Sequence, residues 1–184
     1  TSGRTFNVAL DSLGIPYDSA LLRRMAAVYH AGPPPLALSL YLDVLPTLEN
    51  LRSSYKLALI TDGKPEVQRS KINCLSIGGL FDRVYLTGEL GPYGAKPSTK
   101  AFVKAMKELE ADGPSCAFVG NDPSKDFLAP NQLGWLTIQI NRGDGFPRPP
   151  APSKVYLAKF SASSFAELEV LLANWEASSK AASV

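Results

Sequence analysis

One histidine and two cysteines are all that this chain offers toward zinc or thiol chemistry. A zinc centre takes clustered nitrogen and sulfur ligands, so that chemistry is disfavoured. Cys74 and Cys116 lie in apolar surroundings, at positions expected in a helix and a strand, and are expected as buried free thiols rather than a disulfide. No apolar run approaches the ~20 residues that cross a bilayer, and the first residues lack the basic-then-apolar order of a secretory leader. A cytosolic location is therefore expected. Charge of one sign is also lacking: the formal net charge of +2 gives no pull toward nucleic acid or an anionic membrane.

What is present is an ordinary globular balance, 45% hydrophobic and 20% charged, on a 184-residue chain long enough for one substantial core and a small appendage. Residues 5–30 read as helices: Phe6, Leu10 and Leu13 mark one apolar face, and Leu21, Leu22, Met25 and Val28 mark another after the Gly14-Ile15-Pro16 break. Gly32-Pro33-Pro34-Pro35 cannot continue a helix and reads as a stiff connector, setting residues 1–35 apart as a helical appendage.

From residue 36 to 176 helices and strands alternate. Val44, Leu48 and Leu51 share a helix face, and a strand is expected at 56–61. Pro65 opens a helix with Val67 and Leu75, and Val84-Tyr85-Leu86 is a short strand. Ser98 is placed to cap a helix carrying Phe102, Met106 and Leu109. Strands follow at 115–119 and 135–140, separated by a helix that ends at Gly134. The Pro-, Arg- and Gly-rich stretch 142–153 reads as a surface loop, and its Arg142-Gly143-Asp144 tripeptide as chance. A last strand is expected near Val155-Tyr156-Leu157, then a helix with Phe165, Leu168, Leu172 and Trp175 on one face, and a frayed tail at 177–184. Phe81, Tyr85, Tyr93 and Trp135 suit a core or an interface, core being the commoner fate. Such alternation predicts an α/β fold: a Rossmann-like parallel sheet flanked by helices, with ligands beyond the carboxyl ends of the strands.

Three segments end where such ligands sit. Leu57-Ala58-Leu59-Ile60-Thr61-Asp62-Gly63 ends in a hydroxyl and a tight turn. Gly94-Ala95-Lys96-Pro97-Ser98 presents a cation before a helix. Cys116-Ala117-Phe118-Val119-Gly120-Asn121-Asp122-Pro123-Ser124-Lys125-Asp126 stops at an amide and two carboxylates. A hydroxyl with backbone N–H groups, a cation, and oxygen ligands suit a phosphate and a hard metal ion.

In these residues the chain resembles the haloacid dehalogenase-like superfamily, most of whose members are Mg-dependent phosphohydrolases. The likeness covers roughly residues 40–175, with the preceding helices similar to a remnant of that family's helical cap. It implies that Thr61, Asp62 and Gly63 bind phosphate as the second motif, and that Lys96, before Pro97, offsets phosphoryl charge as the third. It further implies that Asn121, Asp122 and Asp126 serve Mg²⁺ as the fourth motif, with an amide at the usual first acidic position. The implied partner is a small phosphorylated metabolite, with no nucleic acid and no membrane.

The first motif of that family, a strand ending in Asp-x-Asp whose first carboxylate is the nucleophile, is matched nowhere in these residues. Val8-Ala9-Leu10-Asp11 is the nearest imitation, but Leu13 stands at the second acidic position and the stretch reads as helix. The missing strand is central in the family's sheet, so the second- and fourth-motif strands must pair directly or another segment must fill the gap. The expectation is a phosphatase whose nucleophile lies outside these residues; the alternative is an inactive binding or regulatory module of the same fold. A receiver-like domain shares the alternation but needs an acidic pair after its first strand. Plainer roles also exist: Asp122 and Asp126 could complement a helix dipole, Asp62 could cap a turn, and Lys96 could be a solvated loop lysine. Arg23, Arg24 and His30 on the appendage could select an anion or form a solvated face.

Overall fold

The computed structural model describes residues 5–31, 38–143 and 148–181. The chain divides into two compact units, Thr1–Leu38 and Ser39–Val184.

The first unit holds α1 (Thr5–Ser12) and α2 (Ser19–Ala31). Gly14, at φ +63°, turns the chain between them in the left-handed region that glycine tolerates. Asp18 Oδ1 accepts the Leu21 N–H at 2.7 Å and so caps α2. Leu10 is buried, whereas Asp11 lies exposed on α1, so the one imitation of the nucleophile motif is helical. The connector at Gly32–Pro35 lies outside the described residues.

The second unit alternates as the sequence predicts: α3 (Val44–Leu51), β1 (Ala58–Thr61), α4 (Pro65–Cys74), β2 (Arg83–Leu86), α5 (Lys100–Leu109), β3 (Ala117–Gly120), α6 (Leu128–Gln132), β4 (Leu136–Ile140), β5 (Phe160–Ala162) and α7 (Phe165–Ala181). Every strand pairing is parallel, and the fold is α/β with helices flanking the sheets. The sheet is in two parts. β1 pairs with β2, Ala58 opposite Arg83, while β3 pairs with β4 and β4 with β5, Ala117 opposite Leu136 and Ile138 opposite Phe160.

α5 bridges the two parts on one face. Its buried residues Ala101, Phe102 and Ala105 recur at helical spacing, with Lys104, Lys107 and Glu108 turned to solvent. The fully buried Phe102 ring meets Phe118 of β3 edge-on at 5.0 Å and Trp135, just before β4, at 5.5 Å. Ile60 and Tyr85 from the two-stranded part complete that cluster. A second cluster joins Leu136, Ile138 and Ala162 to Leu168 and Leu172 of α7.

Among the described residues β1 has no strand on its second edge, and neither has β3. Between them runs a cavity of about 700 Å³ lined by Ala58–Ile60 and Ala117–Gly120, with α5, α3 and α7 contributing its walls. A four-residue strand, at about 3.3 Å rise and about 4.8 Å from each neighbour in a layer about 10 Å deep, claims on the order of 600 Å³. The slot therefore has the size of one strand. Neither alternative of direct pairing nor filling by another described segment is seen.

Several local expectations are corrected. The segment Val155–Leu157 is no strand: Asn131 Nδ2 donates to the carbonyls of Val155 and Leu157, at 3.0 and 2.8 Å, so this backbone bonds to a side chain instead of a ladder, and β5 forms further on. Thr99, not Ser98, occupies the N-cap of α5, and Ser98 Oγ only approaches the Lys100 N–H at 3.4 Å. Cys74 is exposed, because α4 buries none of its residues, and Cys116 is half-buried just before β3; both thiols are free. Tyr93 is 90% exposed on a turn with φ +61°, whereas Tyr85 and Trp135 are core. α7 continues to Ala181. No described helix is long and apolar enough to cross a membrane.

Candidate active site

The carboxyl ends of β1 and β3 face each other across the mouth of the slot. β1 ends at Thr61, whose hydroxyl donates to Gln68 Oε1 at 3.0 Å. The chain then turns at Gly63, φ +131°, where a Cβ would stand 2.7 Å from Gln68 Nε2. Only glycine fits that turn without strain.

Asp62 is an organiser of this end. Its Oδ1 accepts the Thr87 hydroxyl at 2.9 Å and the Lys96 backbone N–H at 3.1 Å, and its Oδ2 lies 3.2 Å from Lys125 Nζ. A carboxylate so engaged cannot itself face an anion; what residue 62 can offer a phosphate is its backbone N–H.

Lys96 reaches across the gap. Its Nζ donates to Asp126 Oδ1 at 2.8 Å, with the two side chains 10% and 4% exposed. The stem passes the Phe118 ring, Nζ standing 5.6 Å from its centroid. Asp126 is fixed from the other side by the N–H groups of Asn121 and Asp122, which donate to Oδ2 at 3.0 and 2.8 Å. Gly120 makes room for it: a Cβ there would stand 2.7 Å from the same oxygen. Asp122, also buried, accepts the Ser124 N–H at 3.1 Å and its hydroxyl at 2.5 Å on Oδ1, while Oδ2 lies 3.9 Å from Lys125 Nζ. Asn121 is exposed, and its amide has no partner among the described residues.

Two ion pairs, Lys96–Asp126 and Lys125–Asp62, thus tie the carboxyl ends of the two sheet parts together over the slot. Thr61, Asp62, Gly63, Lys96, Asn121, Asp122 and Asp126 all lie around this mouth. Sequence reasoning missed Lys125, Ser124 and the buried Thr87. Thr87 follows the apolar run of β2 just as Thr61 follows that of β1, a signal that was there to be used. Arg23 and Arg24 are exposed on α2 of the first unit, and the side chain of His30 lies outside the described residues.

The donor set can be tested against a hard cation. The described residues contain no group of three acidic, histidine or cysteine ligands. Asp126 already accepts three hydrogen bonds, which leaves Asp122 Oδ2 and the Asn121 amide oxygen free of close donors. Mg²⁺ is commonly held by one or two carboxylates plus phosphate oxygens and water, so two protein donors fit it.

The sequence over residues 6–134 matches the family model of the haloacid dehalogenase-like hydrolases. A glyceraldehyde 3-phosphate phosphatase from Methanopyrus kandleri is 31% identical over 141 residues, 76% of this chain and 59% of that protein. The N-acylneuraminate-9-phosphatase of Rattus norvegicus is 30% identical over 131 residues, 71% of this chain and 50% of that protein. The chain therefore spans between half and three-fifths of the length of these curated relatives. In fold it is similar to a magnesium-bound HAD-hydrolase from Bacillus subtilis, with a TM-score of 0.71 at 17% identity, covering 92% of this chain and 70% of that one. The matched model takes in the strands and turns that carry Thr61, Lys96 and Asp126, and the chain belongs to the haloacid dehalogenase-like hydrolases.

Proposed function

We propose that this chain forms the phosphate- and metal-binding side of a phosphatase that hydrolyses a small phosphorylated molecule. The observation that carries the reading is the convergence of Thr61–Gly63, Lys96 and Asn121–Asp126 at one slot mouth, cross-tied by Lys96–Asp126. The phosphatase names of both relatives support it.

In this reading the N–H groups of Asp62 and Gly63, with the Thr61 hydroxyl turning its one proton from Gln68 Oε1, hold phosphate oxygens, and Lys96 offsets the charge that gathers on the transferring group. Asp122 and the Asn121 amide would hold Mg²⁺, with Asp126 orienting their backbone. The ion, when bound, neutralises phosphate charge and acts as a Lewis acid. The nucleophilic carboxylate stands at the end of an extended segment seated in the slot, where it would share the mouth with Lys96.

A second reading is favoured by the lack of any Asp-x-Asp in these residues and by the amide at Asn121. It is an inactive module that binds phosphate esters without turning them over.

Mg²⁺-dependent hydrolysis of an aryl phosphate by these residues supplied with an extended segment that ends in Asp-x-Asp, beside a Lys96→Ala sample prepared identically, separates them. Turnover lost in the variant supports the phosphatase. Absent turnover, with orthophosphate binding that Lys96→Ala abolishes, supports the module. Turnover that survives the variant contradicts both.

A further inference from the structure

A second cleft, of about 550 Å³, opens at the carboxyl ends of β3 and β4 and shares Gly120 and Asn121 with the candidate active site. Its cations differ sharply. Arg142 Nη2 donates to both oxygens of Asp43, at 2.8 and 2.9 Å, and its guanidinium lies 4.2 Å from the Tyr41 ring centroid and 5.6 Å from that of Phe165. Asp43 is held in turn by the Phe165 N–H at 2.8 Å. This arginine is spent on structure, joining the start of α3 to the end of β4.

Arg148 is exposed on the cleft wall and has no ion-pair partner among the described residues. Around it the side-chain amides of Asn121, Gln139 and Asn141 also line the cleft, and none has a side-chain hydrogen bond among the described residues. Free amides offer both donors and acceptors, as hydroxyl-bearing ligands require. One guanidinium without an ion-pair partner among the described residues matches one carboxylate, which it can grip through paired N–H groups. Adjacent strand ends stand about 4.8 Å apart, so a chain of a few carbons reaches from the phosphate position to this cleft.

We propose that the cleft is a substrate subsite, in which Arg148 selects phosphate esters whose far end carries a carboxylate and the amides of Gln139 and Asn141 bind intervening hydroxyls. This rests on the phosphate position given above. It narrows the substrate class to hydroxylated acid phosphates.

The test compares 6-phosphogluconate with sorbitol 6-phosphate, which share carbon count and phosphate but differ in the carboxylate. Both are titrated calorimetrically into the protein, its Arg148→Ala variant and its Arg148→Lys variant. A charge-assisted bidentate pair predicts about tenfold tighter binding of 6-phosphogluconate to the unmodified protein. The ratio falls to about one in Arg148→Ala and is partly kept in Arg148→Lys. Equal affinities, a preference that survives Arg148→Ala, or binding of neither ester overturns the proposal. Because the readout is binding, no nucleophile is needed, and orthophosphate binding that Lys96→Ala leaves unchanged would count against the phosphate position alone.

Discussion

Lys96 Nζ donates to Asp126 Oδ1 at 2.8 Å, and through that one contact the loop following β2 is fastened to the turn following β3. The two residues lie thirty positions apart in the chain. They also sit on opposite sides of a slot that no described strand bridges, so the pair fixes the Lys96 ammonium and ties the two sheet parts together.

Replacing Lys96 by Ala leaves the 4%-exposed Asp126 carboxylate without its cation. Removing one partner of a buried pair costs about 3 kcal/mol or more. The urea midpoint at neutral pH is expected to fall accordingly, with the m-value unchanged because the fold still buries the same surface.

Gly120→Ala acts on the same pair from the backbone. The new Cβ, 2.7 Å from Asp126 Oδ2 and 3.0 Å from its Cβ and Cγ, forces a buried carboxylate to move. Overpacking of this kind costs about 1–3 kcal/mol. Orthophosphate affinity is expected to fall with stability, whereas Gly79→Ala, where a Cβ meets nothing within 4 Å, changes affinity little.

Tyr85 gives an alkaline signature. Burial, and then the hydrogen bond and negative charge of Glu108, push its hydroxyl up to about 12 from the ordinary 10.0. A raised folded-state value means that the stabilising contribution is whole below pH 10 and is lost as the pH rises toward 12. Glu108→Gln is expected to lower the pH at which this tyrosine ionises, read by ultraviolet titration of tyrosinate.

Asp43 gives the acid counterpart. Partial burial alone would raise its carboxyl, but the Phe165 N–H and the Arg142 guanidinium outweigh that and hold it below the ordinary 3.8. Its contribution is therefore present above pH 3.8 and is lost as the pH falls through the depressed value. Asp43→Asn should flatten the fall of the urea midpoint below pH 4.

The alternation of helices and strands was legible because buried parallel strands write short apolar runs, and amphipathic helices such as α5 write a 3.6-residue period. The ends of β1 and β3, and with them Thr61 and Asp126, could be read for the same reason: an apolar run that stops at polar residues marks a strand end, whereas Lys96 is legible from the likeness of Lys96-Pro97 to the family's third motif. The direction of side chains there could not. That Asp62 turns to Thr87 and the Lys96 N–H, or that Lys125 crosses to Asp62, depends on loops meeting from distant parts of the chain. The segment Val155–Leu157 misled because β-rich residues fit a strand, while the partner that claims its carbonyls, Asn131, is distant in sequence.

The central claim is that a phosphate group sits at the mouth of the slot between Thr61–Gly63 and Lys96. The most direct test titrates orthophosphate and follows backbone amide resonances in the protein, in Lys96→Ala and in Thr61→Ala, the last of which leaves the Lys96–Asp126 pair intact. The account predicts that the amides of Asp62, Gly63 and Asn121 shift together in the unmodified protein and that both substitutions weaken the response. Shifts centred elsewhere, or a response that neither substitution changes, would contradict it.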